Sequence, residues 1–87
     1  MAWLFVHTAG PLMLRYKAGH WVAELRGERF GRWPRPEDGA IALHKGTTGA
    51  RSWDTRADCA AVPAELQAWR QTYDGWEDTP AEPRQPG

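Results

Sequence analysis

From Leu12 to Lys17 the side chains alternate, with Leu12, Leu14 and Tyr16 on one side and Met13, Arg15 and Lys17 on the other. A period of two marks a half-buried strand. Ala18-Gly19 then predicts a two-residue turn into a second strand, His20–Arg26, although alanine is not the favoured first residue of such a turn. Pairing across that turn sets Tyr16 opposite Trp21, Leu14 opposite Ala23 and Leu12 opposite Leu25. A second turn at Gly27-Glu28, with glycine first as a type II′ turn prefers, sets Leu25 opposite Phe30. One register thus collects the apolar side chains of three strands on one face, and a one-residue slip would undo it.

The opposite face then carries Arg15, Lys17, His20, Val22, Glu24, Arg26 and Arg29. In this register Arg26 and Arg29 stand side by side, and like charges in that position call for compensation from Glu24, Glu28 or a ligand. Strict alternation would drive Arg32 into the core. A bulge at Gly31 turns Arg32 out and Trp33 in, and glycine within a strand often marks such a bulge.

The flanking segments follow from local signals. Trp3 to Thr8 reads as a first strand, ended by the turn signal Ala9-Gly10-Pro11. Pro34 ends the last strand, Pro36 opens a helix with Glu37 and Asp38 at its positive end, and Gly46 stops it. Gly39 should weaken that helix by about 1 kcal/mol relative to alanine. Residues 47–62 read as a loop with Trp53 as a core plug. Pro63 starts a second helix on which Leu66, Trp69, Arg70 and Tyr73 share a face, Gly75 ends it, and Trp76 folds back on the body. The prediction is an α+β fold, a small antiparallel sheet of three to four strands packed against two short helices. Residues 1–76 form the single domain; residues 77–87, with three prolines, three acids and no large apolar group, form a disordered acidic tail.

Composition narrows the class. Eighty-seven residues support one modest core, burying roughly 60–65% of the unfolded surface. No apolar run approaches the roughly 20 residues of a membrane helix, and the N-terminus lacks the basic start and small-residue cleavage site of a signal peptide. A single cysteine, Cys59, leaves no internal disulfide and fits a reducing, cytoplasmic compartment. Net charge is zero, but residues 1–35 hold six basic groups against two acids, a net +4, while residues 57–87 hold two against six, a net −4. Such asymmetry can steer an anionic partner.

Catalytic and metal chemistry find little footing. His7, His20, His44 and Cys59 lack the paired spacing of a zinc site. Asp58 beside Cys59 disfavours the thiolate that a nucleophile needs. Lys45-Gly46-Thr47-Thr48-Gly49 reverses the order of a phosphate loop and follows a helix instead of opening one. Nothing fixes a separation between Asp54 and Glu37, Asp38 or Asp58 that acid–base work requires. The chain is expected to be non-enzymatic, with no cofactor and no metal.

Residues 21–26, Trp-Val-Ala-Glu-Leu-Arg, followed by Gly31 and then by Glu37 and Ala40, resemble the strands and helix of AP2-type and integrase N-terminal DNA-binding domains. The resemblance is partial, falling within about residues 12–45. Those domains lay a three-stranded sheet in the major groove. The resemblance implies that Arg15, Lys17, Arg26 and Arg29 contact phosphates or bases, with Glu24 as a supporting ion-pair partner.

Two functions therefore stand against each other. One is a small interaction or regulatory domain that binds another protein, of a size common in phage and mobile elements. The other is a DNA-binding domain that uses the basic outer face of its sheet. Arg15, Lys17, Arg26, Arg29, Arg32 and Trp33 are the candidate contact residues for either partner, and an exposed tryptophan among Trp3, Trp33 and Trp76 is the expected hot spot of a protein interface. Pairing of two copies through an exposed edge, residues 3–8 or 29–33, is a third arrangement. No membrane partner is expected.

Overall fold

A computed structural model describes residues 2–72. Five antiparallel strands, β1 (Ala2–His7), β2 (Gly10–Lys17), β3 (His20–Leu25), β4 (Glu28–Trp33) and β5 (Arg70–Thr72), form one sheet in the order β4-β3-β2-β1-β5. One main helix, α1 (Pro36–Lys45), lies against it, followed by the single-turn helix α2 (Arg51–Asp54) and 3₁₀ turns at Cys59–Ala61 and Leu66–Ala68. The α+β class is thus observed, with five strands where three to four were expected.

The pairing of β2 with β3 follows the alternating pattern: Leu12 faces Leu25, Leu14 faces Ala23 and Tyr16 faces Trp21. Ala18 and Gly19 form the connecting turn with φ of 50° and 92°, the positive pair that a type I′ turn demands. The next turn differs from expectation. It is Arg26-Gly27, with φ of 52° and 84°, so Leu25 pairs with Glu28 and Ala23 with Phe30. The offset is two residues, which preserves the alternation and leaves Phe30 on the apolar face. It also replaces the expected Arg26–Arg29 pair with Glu24 opposite Arg29.

The bulge forms at Gly31. Between Ala23–Phe30 and Trp21–Trp33 the register shifts, with β4 spending one residue more than β3. Gly31 has φ 78°, and a Cβ there would lie 2.1 Å from the Trp33 ring. Arg32 is exposed while Trp33 packs against the core. Gly39 of α1 has a similar reason, since a Cβ would lie 2.8 Å from Leu14 and 2.9 Å from Trp33. The helix trades some propensity for a close approach to the sheet.

Helix α1 starts at Pro36 and ends at Gly46 in a left-handed conformation, where the Thr47 N–H reaches the Ala42 carbonyl at 2.9 Å. Leu12, Leu14, Ala23, Ala40, Leu43, Val62, Leu66 and Trp69 form the core, with Trp53, 1% exposed, at its centre. The Trp53 indole donates to the Leu43 carbonyl at 3.0 Å, which satisfies its buried N–H.

The second helix predicted from Pro63 does not form. Leu66 and Trp69 are buried as that helix would have them, but the backbone extends at Trp69, with φ −94° and ψ 161°. Arg70–Thr72 then pairs with Ala2–Leu4. Strand β1 would otherwise present unpaired backbone groups, and satisfying them outweighs a short helix that is marginal by itself. Residues 3–8 are therefore no free edge; β4 is one. Trp76 and the tail at 77–87 lie outside the described residues, and no helix among those described is long and apolar enough to cross a membrane.

Candidate functional site

The six candidate residues divide among three places. Lys17, Arg32 and Trp33 lie at the end of the sheet that holds the Ala18-Gly19 turn. Arg15 and Arg29 flank the middle of the outer face. Arg26 sits at the far end, where its Nε donates to the Ala9 carbonyl at 2.7 Å and clips the β3–β4 turn to the β1–β2 turn. The structure does not gather them into one patch.

Arg15 departs most from expectation. It points to the outer face as its register requires, but it is only 2% exposed. Its Nη1 donates to Glu24 Oε1 at 2.8 Å, and Arg29 Nε lies 3.8 Å from Glu24 Oε2. Glu24 thus stands between two guanidiniums, the ion-pair role anticipated for it, and the basic stripe is partly neutralised from within. Beside it, Arg32 Nε donates to His20 Nε2 at 3.0 Å.

On the other face of the sheet the same end carries an aromatic row, of which the alternation assigned Tyr16 and Trp21 to the inner face while Trp33 was a candidate contact. Tyr16 pairs with Trp21, and Trp21 with Trp33, across three adjacent strands. Tyr16 meets Trp21 edge-on, with centroids 5.6 Å apart at 63°. Tyr16 is 52% exposed, and Trp21 and Trp33 are partly buried. Arg35, two residues after Trp33, is exposed, and the exposed Arg32 points to the outer face beside His20. The signal was present in the pairing of Tyr16 with Trp21.

A concavity lies between the β3–β4 turn and α2. Leu25, Phe30 and Trp53 floor it, Glu28, Ser52 and Arg56 rim it, and its volume is about 150 Å³. Arg56 is committed to Asp58, at 2.8 and 3.0 Å, and Thr8 Oγ1 donates to the same carboxylate at 3.0 Å. These hydrogen bonds, Arg56 first, hold Asp58 well below the usual carboxylate range.

The remaining reactive groups are occupied structurally. His7, 4% exposed, accepts the Ala9 N–H through Nδ1 at 3.0 Å, which leaves the ring hydrogen on Nε2 for the Asp58 carbonyl at 3.0 Å. His44 Nδ1 donates to the Val62 carbonyl at 2.8 Å. Burial, then the Asp58 and Asp54 carboxylates, push the Cys59 thiol up, and its Sγ lies 3.2 Å from the Trp53 carbonyl. Burial acts to raise Asp54, yet hydrogen bonds from the Thr48 hydroxyl and the Thr48 and Gly49 amides outweigh it and leave the carboxyl lowered. The Lys45–Gly49 segment therefore wraps an internal carboxylate. Among the described residues, no three of His, Cys, Asp and Glu are placed to hold a metal ion. Compared with family models, curated proteins and solved structures, the chain matches none.

Proposed function

We propose that this chain is a non-enzymatic interaction domain that binds another protein, and that the contact lies at the sheet end carrying Tyr16, Trp21 and Trp33. The observation that carries this reading is the aromatic row itself: three large rings on one rung, Tyr16 half exposed, on a rigid sheet. Aromatic side chains ordered before binding lose little entropy in a complex, and Trp, Tyr and Arg dominate interface hot spots. The exposed Arg35, two residues after Trp33, would favour a partner with acidic groups beside an apolar centre.

The alternative, DNA binding through the outer face, keeps Lys17, Arg29 and Arg32 as contacts and loses Arg15, whose guanidinium is withdrawn into the pair with Glu24. A guanidinium buried away from solvent cannot reach a phosphate.

The two readings separate in one experiment. The immobilised full chain is compared with Tyr16→Ala and with Arg29→Glu/Arg32→Glu for retained protein and for retained duplex DNA. Protein binding predicts a retained protein that Tyr16→Ala releases, with little DNA held. DNA retained by the wild type, lost on charge reversal and falling steeply between about 50 and 200 mM salt, would overturn the proposal.

A further inference from the structure

Glu28 is an acid on the apolar side of the sheet. It stands directly opposite Leu25 across the Arg26-Gly27 turn, and residues opposite one another in a ladder share a face. Phe30, two residues further along β4, shares that face as well. An inward charge on an edge strand discourages pairing with another chain. Here it also stands at the mouth of the concavity beside α2, whose floor is Leu25, Phe30 and Trp53.

Floor and rim differ in chemistry. Phe30 and Trp53 stack with centroids 6.2 Å apart and ring planes 26° from parallel. The volume, about 150 Å³, is that of an apolar cavity that takes a benzene-sized body. At the rim, the Arg56 guanidinium lies 5.8 Å from the Trp53 ring centroid. Its Nε and Nη2 are bound to the two Asp58 oxygens, which offsets its charge. Glu28 has no such counterion among the described residues. It faces the Ser52 hydroxyl at 3.5 Å, longer than the roughly 2.5–3.0 Å of a good O–H···O bond. Glu28 and Asp58 against Arg56 leave the mouth with an excess of negative charge, to which a cation is the complement. The Glu28 and Ser52 oxygens are close enough for one nitrogen to donate to both, which a primary ammonium with its three N–H groups can do.

We infer that this concavity binds a small free primary amine, with its apolar body against Phe30 and Trp53 and its ammonium donating to Glu28 and Ser52. A single ring bearing an aminomethyl group matches both the volume and the pair of acceptors. The site lies at the Arg26-Gly27 end of the sheet, whereas Tyr16, Trp21 and Trp33 lie at the Ala18-Gly19 end. The inference therefore does not rest on the proposed protein contact.

Titration of the isotope-enriched full chain with benzylamine, followed at the amide and indole N–H resonances, tests this. The expected result is saturable shifts at Glu28, Phe30, Ser52 and the Trp53 indole, with benzyl alcohol and benzoate weaker by about fivefold or more, the worth of one charge-assisted hydrogen bond. Glu28 is exposed, so Glu28→Gln leaves the core untouched; it should weaken benzylamine by a similar factor and leave benzyl alcohol unchanged. Absence of saturable shifts at millimolar amine, equal affinity for benzoate, or a Glu28→Gln protein that holds benzylamine as the wild type does would each overturn the inference. So would tighter binding of Nα-acetyl-lysine methylamide, which would make the occupant a side chain of a partner protein.

Discussion

Arg15 on β2 and Glu24 on β3 are joined by a 2.8 Å hydrogen bond between groups whose side chains are 3% and 16% exposed. The two are diagonal neighbours across the strand pair, and the bond fixes the β2–β3 register from the outer face as Leu14 and Ala23 fix it from the inner.

Breaking this pair should be asymmetric. Glu24→Leu leaves the Arg15 cation buried without its carboxylate, and loss of one partner of a buried pair costs about 3–5 kcal/mol. Arg15→Met leaves Glu24 with Arg29 still 3.8 Å away, so its cost should be smaller by about 1 kcal/mol or more. The double variant should recover part of the Glu24→Leu loss, because two apolar groups need no partner. Urea unfolding of the three variants checks the order; equal losses from the two single changes would contradict the account.

Gly31 and Trp33 are coupled by space as well as by backbone. Gly31→Ala must pay for a positive φ and for a Cβ 2.1 Å from the Trp33 ring, together about 3 kcal/mol or more. Gly19→Ala faces only the positive φ, with nothing within 4 Å, and should cost about 1–2 kcal/mol. The Gly31 change should also shift tryptophan fluorescence toward the solvent-exposed value, because Trp33 has to leave its seat on Gly39. A Gly31→Ala protein with wild-type stability and emission would show that the ring is not held there.

Acid should destabilise the fold through Asp54 and Asp58. Both carboxyls are lowered in the folded protein, so folding favours their charged forms. Their contribution is complete above the unfolded-state value of about 3.9 and is lost as pH falls below it toward the folded-state values. The urea midpoint should hold steady from about pH 7 to pH 5 as far as these groups are concerned and fall below about pH 4. Asp54→Asn should flatten part of that fall and loosen the Thr48–Gly49 turn. A midpoint that rises on acidification below pH 4 would refute the assignment.

The sequence determined the inner face of the sheet. Alternation in residues 12–17 and 20–26 can be buried in only one parity, and for that reason the β2–β3 pairs could be read before any coordinates. The parity also survived the misplaced turn: Arg26-Gly27 replaced Gly27-Glu28 by shifting the partner strand two residues, which left Phe30 inside. Gly31, Pro36 and Gly46 were legible because each marks a backbone requirement that few other residues meet.

Tertiary structure decided the rest. Leu66, Trp69, Arg70 and Tyr73 fit a helical period, and only the unpaired edge of β1 explains why Arg70–Thr72 became a strand. Arg15 reads as a solvent-facing cation from its position in the alternation, whereas in the fold it is buried and paired with Glu24. Tyr16 and Trp21 were assigned to the inner face by the same alternation, yet Tyr16 remains half exposed while α1 packs at Gly39 against Leu14 and Trp33. Local pattern sets the direction in which a side chain points, whereas exposure is set by segments distant in the chain, whose packing is a property of the assembled fold.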